Sequence, residues 1–401
     1  MSSAAKLAMR ASCYTFLALA ATSVVWGRDS AASVGRSLLS HDVSGNETAT
    51  GMLVTYWGQN SAAPKYQEPS LDQVCAQYNI TAIAFLSEFG QSMSLLPNIA
   101  GHNFSEVGPA ITACQSYGAK ILLSMGGQGG DSCGYGFSSG EDAAETALNI
   151  WELFLGGYPT KSTATRPFGN ATLDGVDLDI ECAANGTDPM YYTTFVQQLR
   201  SLMQNGSSSS AATESLDTEY AAVETTLGTA NYLITAAPQC VFPDAYLGPQ
   251  LTGLALTDAA MQFDYLWPQF YNNHICQYNE ADNGAGFQQS FQNWSSWANA
   301  TAPALEVLVG LPASPSAATT GYIADSDEVK QINMIRRSNA TNFDGVMLWS
   351  AAWEFENEQM NQSYIPSVLK SLTDRSGADA QQVARSFTFV VMALALLCCL
   401  L

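Results

Sequence analysis

The sequence predicts an α/β fold, a (β/α)8 TIM barrel in a single domain. Three observations carry the prediction. Short apolar, β-branched runs recur eight times, stretches of helical length separate them, and one of the runs is acidic at alternate positions. The runs lie near Met52–Trp57, Thr81–Leu86, Lys120–Met125, Leu173–Ile180, Tyr232–Ala237, Gln262–Tyr271, Glu306–Leu311 and Asp344–Trp349. Helices are expected at Leu71–Gln77, Gly108–Ser116, Ala143–Phe154, Met190–Met203, Phe287–Asn299 and Ser326–Arg337. Strictly alternating strands and helices require parallel pairing with crossovers. The rival is an open doubly wound sheet, which carries a glycine-rich phosphate loop after its first strand. Tyr56-Trp57-Gly58-Gln59-Asn60 is not such a loop.

The barrel is assigned to residues 51–373, with a Ser-rich inserted surface loop near 205–230. Residues 1–27 read as a signal peptide: Lys6 and Arg10 start it, Ala11 to Trp26 is mostly apolar, and small residues near Thr22 to Gly27 suit cleavage. Residues 28–50 are polar and aperiodic, a flexible leader. At the other end, Ser376-Gly377-Ala378 and the polar residues to Ser386 make up a small-residue site and spacer within 374–386. Residues 387–401 are apolar. This layout matches a GPI-anchor signal removed on maturation, with Ser376 as the attachment site. A plain transmembrane tail is the alternative, but fifteen residues barely cross a bilayer and no basic stop follows them.

Nine cysteines fall to six when Cys13, Cys398 and Cys399 of the terminal segments are set aside. The six, Cys75, Cys114, Cys133, Cys182, Cys240 and Cys276, suit three bridges in an oxidising compartment. Spacing alone leaves fifteen connectivities open and matches no zinc site. Ten N-x-S/T sequons, at Asn46, Asn79, Asn103, Asn170, Asn185, Asn205, Asn293, Asn299, Asn339 and Asn361, favour a glycosylated exterior. The net charge of −21, without a Lys/Arg cluster, argues against nucleic acid and against an anionic membrane surface as partners. The expected localisation is extracellular, at the cell surface, with membrane contact only through the lipid anchor.

Leu173-Asp174-Gly175-Val176-Asp177-Leu178-Asp179-Ile180-Glu181 carries the chemistry. Side chains alternate along a strand, so Asp177, Asp179 and Glu181 share one face and Val176, Leu178 and Ile180 the other. In a barrel the apolar set meets the outer helices and the acidic set faces inward. Neighbouring buried carboxyls cannot all ionise cheaply, so at least one pKa must rise. A carboxylic acid kept protonated near neutral pH is what a glycosidase needs as its general acid. Glu181 ends the strand, where barrel active sites open. A calcium site would instead need a flexible acidic loop. No metal or organic cofactor is expected.

The stretch from Asp174 to Glu181 resembles the D-G-x-D-x-D-x-E signature of glycoside hydrolase family 18, and within it the class III, hevamine-like chitinases. Further blocks resemble that group in order over roughly residues 52–372: Tyr56 to Asn60, Ala82 to Leu86, Leu122 to Gly127, Ala236 to Cys240, Gln269 to Asn273, Gly310 to Ala313 and Gly345 to Ser350. The resemblance implies endo-acting hydrolysis of β-1,4-linked N-acetylglucosamine by a retaining, substrate-assisted route. Glu181 would be the acid/base. Asp179 would orient the substrate acetamide, Asp177 would share a proton with Asp179, and Tyr271 would donate to the acetamide oxygen. Trp349 would floor the site, Tyr56, Gln269 and Asn272 would add polar contacts, and Met347 and Gly126 complete the substrate-facing set. Phe85 and Trp349 would join non-proline cis peptide bonds. Cys75–Cys114 and Cys240–Cys276 would be bridges. Cys133 and Cys182 depart from the plant pattern. Cys182 follows the acid and Cys133 lies in the loop after the neighbouring strand, so they are expected to bridge across the site rim, with two buried thiols as the alternative. The partner is chitin or its oligosaccharides and the chain is expected to be a monomer. A non-catalytic chitin-binding or inhibitor protein on the same barrel is the second reading. A related hydrolase of N-glycan cores or peptidoglycan is the third.

Overall fold

Met52–Trp57 (β1) points Met52, Val54 and Tyr56 into one buried cluster with Leu122, Trp267, Leu308 and Met347. This is the barrel interior. The computed structural model describes residues 51–373 other than 92, 130–132, 158–164, 210–230, 250–253 and 339. The signal segment, the leader, the anchor signal with Ser376, and the sequons at Asn46 and Asn339 lie outside the described residues. The further strands are Ile80–Leu86 (β2), Lys120–Gly127 (β3), Gly175–Ile180 (β4), Leu233–Ala236 (β5), Tyr265–Leu266 (β6), Glu306–Pro312 (β7) and Phe343–Trp349 (β8). All pair in parallel in chain order, and β1 pairs with β8 to close the barrel.

The helices are Leu71–Val74 (α1), Phe104–Ser116 (α2), Gly140–Phe154 (α3), Tyr191–Ser209 (α4), Ala255–Asp258 (α5), Ala285–Thr301 (α6), Asp325–Arg337 (α7), Ala351–Gln359 (α8) and Ile365–Thr373 (α9). Their inner faces, such as Ala147, Ile150 and Phe154 of α3 with Phe195 and Leu199 of α4, are fully buried outside the strands. Every strand therefore has apolar packing on both faces, as a parallel sheet demands.

Four expectations need correction. The run Gln262–Tyr271 yields only a two-residue β6, because Ala260–Gln262 is a 3-10 turn and Pro268 has no N–H for a ladder. The strand direction resumes at Gln269, which bridges to Gln239 and Gly310. Next, α2 starts at Phe104 rather than Gly108, because the Asn103 side chain caps it by accepting from the Ser105 N–H. Residues 205–209 extend α4 instead of opening the inserted loop, whose remainder lies outside the described residues. Finally, α5, α8 and α9 were not anticipated. They are short, and α8 mixes charged residues into a weak apolar stripe.

One buried acid belongs to this framework and not to the barrel mouth. Glu328, in the first turn of α7, is fully buried and accepts from the Ser367 hydroxyl at 3.0 Å. Its position near a helix N-terminus would favour the anion, but burial outweighs this and pushes its pKa up to about 7. A carboxyl raised on folding stabilises fully below its unfolded value, and that contribution is lost as pH rises through the folded value. Glu328→Gln is therefore expected to be more stable than wild type at pH 8, by roughly 2 to 3 kcal/mol, and no more stable at pH 4. Denaturant titrations of both proteins across this range check it, and parallel pH profiles would contradict it.

Candidate active site

The register of β3, β4 and β5 sets the site. Ser124 lies opposite Asp177, and Asp177 lies opposite Thr235. Both hydroxyls donate to Asp177, Ser124 to Oδ2 and Thr235 to Oδ1, each at 2.8 Å. The Tyr56 hydroxyl also donates to Oδ2 at 2.8 Å. The Tyr56 hydroxyl in turn accepts from Trp267 Nε1 at 2.8 Å, since an indole N–H can only donate. Asp177 is thus a buried carboxylate acceptor. Burial raises its pKa to about 6, and the three hydroxyl bonds hold it from rising further.

Two register positions higher, Gly126 faces Asp179. Gly126 has φ +114°, and a Cβ there would lie 2.0 Å from the Asp179 carbonyl oxygen, so only glycine lets β3 approach β4 this closely. Asp179 is 4% exposed. Burial, then the charges of Glu181 and Asp177, hold its pKa well above the usual carboxylate range. Glu181 is also raised by burial, against hydrogen bonds from Gln269 and Asp179. A hydrogen bond between the Asp179 and Glu181 carboxyls requires a proton on one of them, and burial raises both.

Gln269, just beyond β6, ties the two upper carboxyls together. Its Nε2 lies 2.7 Å from Asp179 Oδ1 and 3.1 Å from Glu181 Oε1. A cleft of about 550 Å³ opens over them, lined by Asp179, Glu181, Gln269, Tyr271 and Trp349 among others. Trp349 ends β8 and stacks on Phe85 at 5.8 Å. Both non-proline cis bonds, Ala84–Phe85 and Trp349–Ser350, are present.

The structure brings Glu181, Asp179, Tyr271, Trp349, Gln269, Asn272 and Gly126 to this cleft. It places Asp177, Tyr56 and Met347 beneath it. The Tyr56 hydroxyl is already taken by Trp267 and Asp177, and Met347 is fully buried in the barrel core, so neither reaches the cleft wall. Asn272 has φ +56°, and its Oδ1 accepts from the Thr319 and Thr320 N–H groups, bracing a loop at the rim. Asp174, first in the acidic stretch, lies at the opposite end of β4, where it pairs with Lys120 at 2.8 Å.

Tyr135 carried no sequence signal, whereas the three disulfide bridges were expected from the sequence. Tyr135 donates to the Gly127 carbonyl at 2.8 Å and accepts from the Glu181 N–H at 3.0 Å, fixing the backbone that carries Glu181. The bridge Cys133–Cys182 ties the Tyr135 loop to the end of β4. Cys75–Cys114 and Cys240–Cys276 are also bridged. Gln239 lines the cleft and accepts from Asn273 Nδ2 at 2.6 Å. Buried Asp244 accepts from the N–H groups of Gln239, Tyr246 and Leu247 and adds negative potential at Glu181. Gln239 stood inside a recognised block, but nothing in its spacing assigned it a side-chain role.

Neighbouring buried carboxyls at the C-terminal mouth of a closed parallel barrel, beneath a polar cleft that Trp349 helps to line, suit a glycoside hydrolase. The profile of Glycosyl hydrolases family 18 matches residues 52–386. The chain is 32% identical over 335 residues to an acidic endochitinase of Arabidopsis thaliana, spanning 82% of this chain and 92% of that protein. Among solved structures, a chitinase from Ipomoea carnea superposes with TM-score 0.61 at 31% identity, over 80% of this chain and 100% of the other. A xylanase and α-amylase inhibitor protein from Scadoxus multiflorus superposes with TM-score 0.62 at 30% identity, over 80% of this chain and 98% of the other. The chain belongs to glycosyl hydrolase family 18.

Proposed function

We propose that this family 18 protein is a secreted endo-chitinase that cleaves β-1,4 bonds between N-acetylglucosamine units with retention of configuration. The observation that carries the reading is the linked pair Asp179 and Glu181, joined through Gln269 Nε2 at the floor of an open cleft. As the substrate binds, Asp179 turns from Glu181 to the acetamide N–H, and the shared proton passes to Glu181. Glu181 then protonates the glycosidic oxygen. The acetamide oxygen, oriented by the Tyr271 hydroxyl, attacks C1 to give a cyclic oxazolinium ion. Asp179, ionised by that stage and backed by Asp177, stabilises its positive charge. Glu181, now a carboxylate, takes a proton from the water that opens the ring. Trp349 supplies the apolar floor beneath the sugar. The terminal segments outside the described residues would deliver the enzyme to the cell surface and anchor it there.

The inhibitor relative gives a second reading some weight. The presence of Asp177, Asp179, Glu181 and Tyr271 together favours catalysis. The test is incubation with chitin oligosaccharides and, separately, with a xylanase and an α-amylase on their own substrates. Release of new reducing ends from chitin oligosaccharides is expected. Retained binding without cleavage, or inhibition of either enzyme alone, would defeat the proposal.

Tyr135 is a positioning residue in this scheme. Tyr135→Phe removes both neutral hydrogen bonds of the Tyr135 hydroxyl, the one donated to Gly127 and the one accepted from Glu181, and kcat is expected to fall about 3- to 10-fold with little change in KM. Separate determination of the two constants checks this. A rise in KM alone would place Tyr135 in substrate binding instead.

A further inference from the structure

The fold does not present the sequons equally. Asn79 accepts from the Leu53 N–H at 2.8 Å, and its sequon partner Thr81 is fully buried on the outer face of β2. Asn299 is held by Asn342 and Thr341. Asn103 is committed as the α2 cap. Asn170, Asn185 and Asn361 are exposed and their carboxamides make no hydrogen bond among the described residues, and of these three Asn170 lines a groove of about 440 Å³ away from the cleft.

The groove runs between α2 and the turn that precedes β4. Phe104 and Phe168 are stacked there at 5.9 Å, and Pro109 and Pro167 also line it. Phe168-Gly169-Asn170-Ala171-Thr172 is a sequon with an aromatic residue two places before the asparagine. The segment turns back on itself. Ala171 N–H donates to the Phe168 carbonyl at 3.3 Å, and Gly169 takes φ +63°. That reversal sets the Asn170 side chain beside the aromatic pair. Phe104 is only partly buried, so an apolar ring face remains available where a sugar on Asn170 would lie. The apolar face of a pyranose and its N-acetyl methyl group are the chemistry such a ring accepts.

We propose that Asn170 carries an N-linked glycan whose first N-acetylglucosamine is seated in the Phe104–Phe168 groove. In the forming step, Asn170 Nδ2 attacks C1 of an oligosaccharide linked to a polyprenyl diphosphate. The N–C1 bond forms, and the C1–O bond breaks with its electrons leaving on the diphosphate. One amide proton is released. The glycan thereby covers apolar surface that the folded chain leaves to water.

The full chain, produced in a eukaryotic secretory host, is digested with peptide N-glycosidase in isotopically labelled water and mapped by mass spectrometry. Labelled aspartate is expected at 170, and unmodified Asn170 overturns the proposal whatever the state of the other sequons. The seating is read separately, from the thermal midpoint before and after enzymatic removal of the glycan. Removal is expected to lower the midpoint by about 2 °C in wild type and by less than half of that in Phe104→Leu. Asn170→Gln from the same host should start about 2 °C below glycosylated wild type and lose little more on enzymatic removal, while cleaving chitin oligosaccharides at the wild-type rate. Equal losses on removal in wild type and Phe104→Leu would overturn the seating.

Discussion

Glu181→Gln is expected to lower kcat on chitin oligosaccharides by at least about two orders of magnitude, the range that a positioned general acid and base contributes. Glutamine keeps the length and shape of the side chain and can still meet Gln269 across 3.1 Å, but it has no acidic proton to give and cannot accept one from water. Folding should not be harmed. Burial already disfavours the Glu181 anion, so a neutral isostere removes a cost that grows as pH rises through the elevated pKa. The thermal midpoint at neutral pH is expected to match or exceed wild type. Loss of activity with loss of folding would not fit this account, and neither would near-normal turnover by a folded variant.

Asp179→Asn is the second large effect, a loss of roughly 10²- to 10³-fold in kcat, comparable to removing a preorganised electrostatic partner of a developing charge. Three features concentrate its role. It is nearly inaccessible, it shares its proton with Glu181, and Gln269 fixes one oxygen at 2.7 Å. Asparagine can hold that place but supplies no negative charge opposite the oxazolinium. The wild-type alkaline limb of kcat/KM should also lie above the ordinary carboxylate range, because both Asp179 and Glu181 are raised. As pH increases, the shared proton is lost and activity falls. Steady-state rates from pH 4 to 9 test both statements. An Asp179→Asn enzyme within a few-fold of wild type would remove Asp179 from the mechanism.

Much of this was legible in the chain because two signals are strictly local. Alternation placed Asp177 and Asp179 on one face of β4, with Glu181 just past its end, and that face is the barrel interior. Apolar runs located all the strands, and only β6 was badly bounded, since Pro268 breaks its ladder in a segment still rich in apolar residues. What the sequence hides is depth. Tyr56 and Met347 sit in blocks similar to those of related proteins, yet whether a side chain at a strand end touches the ligand or supports a residue that does depends on packing across the barrel. Tyr56 lies beneath Trp349 and is spent on Asp177. Tyr135 was invisible for a related reason. Its partners, Gly127 and Glu181, come from two different strands, and a loop residue has no periodicity to reveal that convergence.

The central claim is that the substrate's own acetamide is the nucleophile, held by Asp179 while Glu181 moves the proton. Proton NMR of chitin oligosaccharide digestion, recorded within the first minutes before mutarotation, tests it most directly. The β-anomer is the expected initial product, and initial release of the α-anomer would contradict the mechanism.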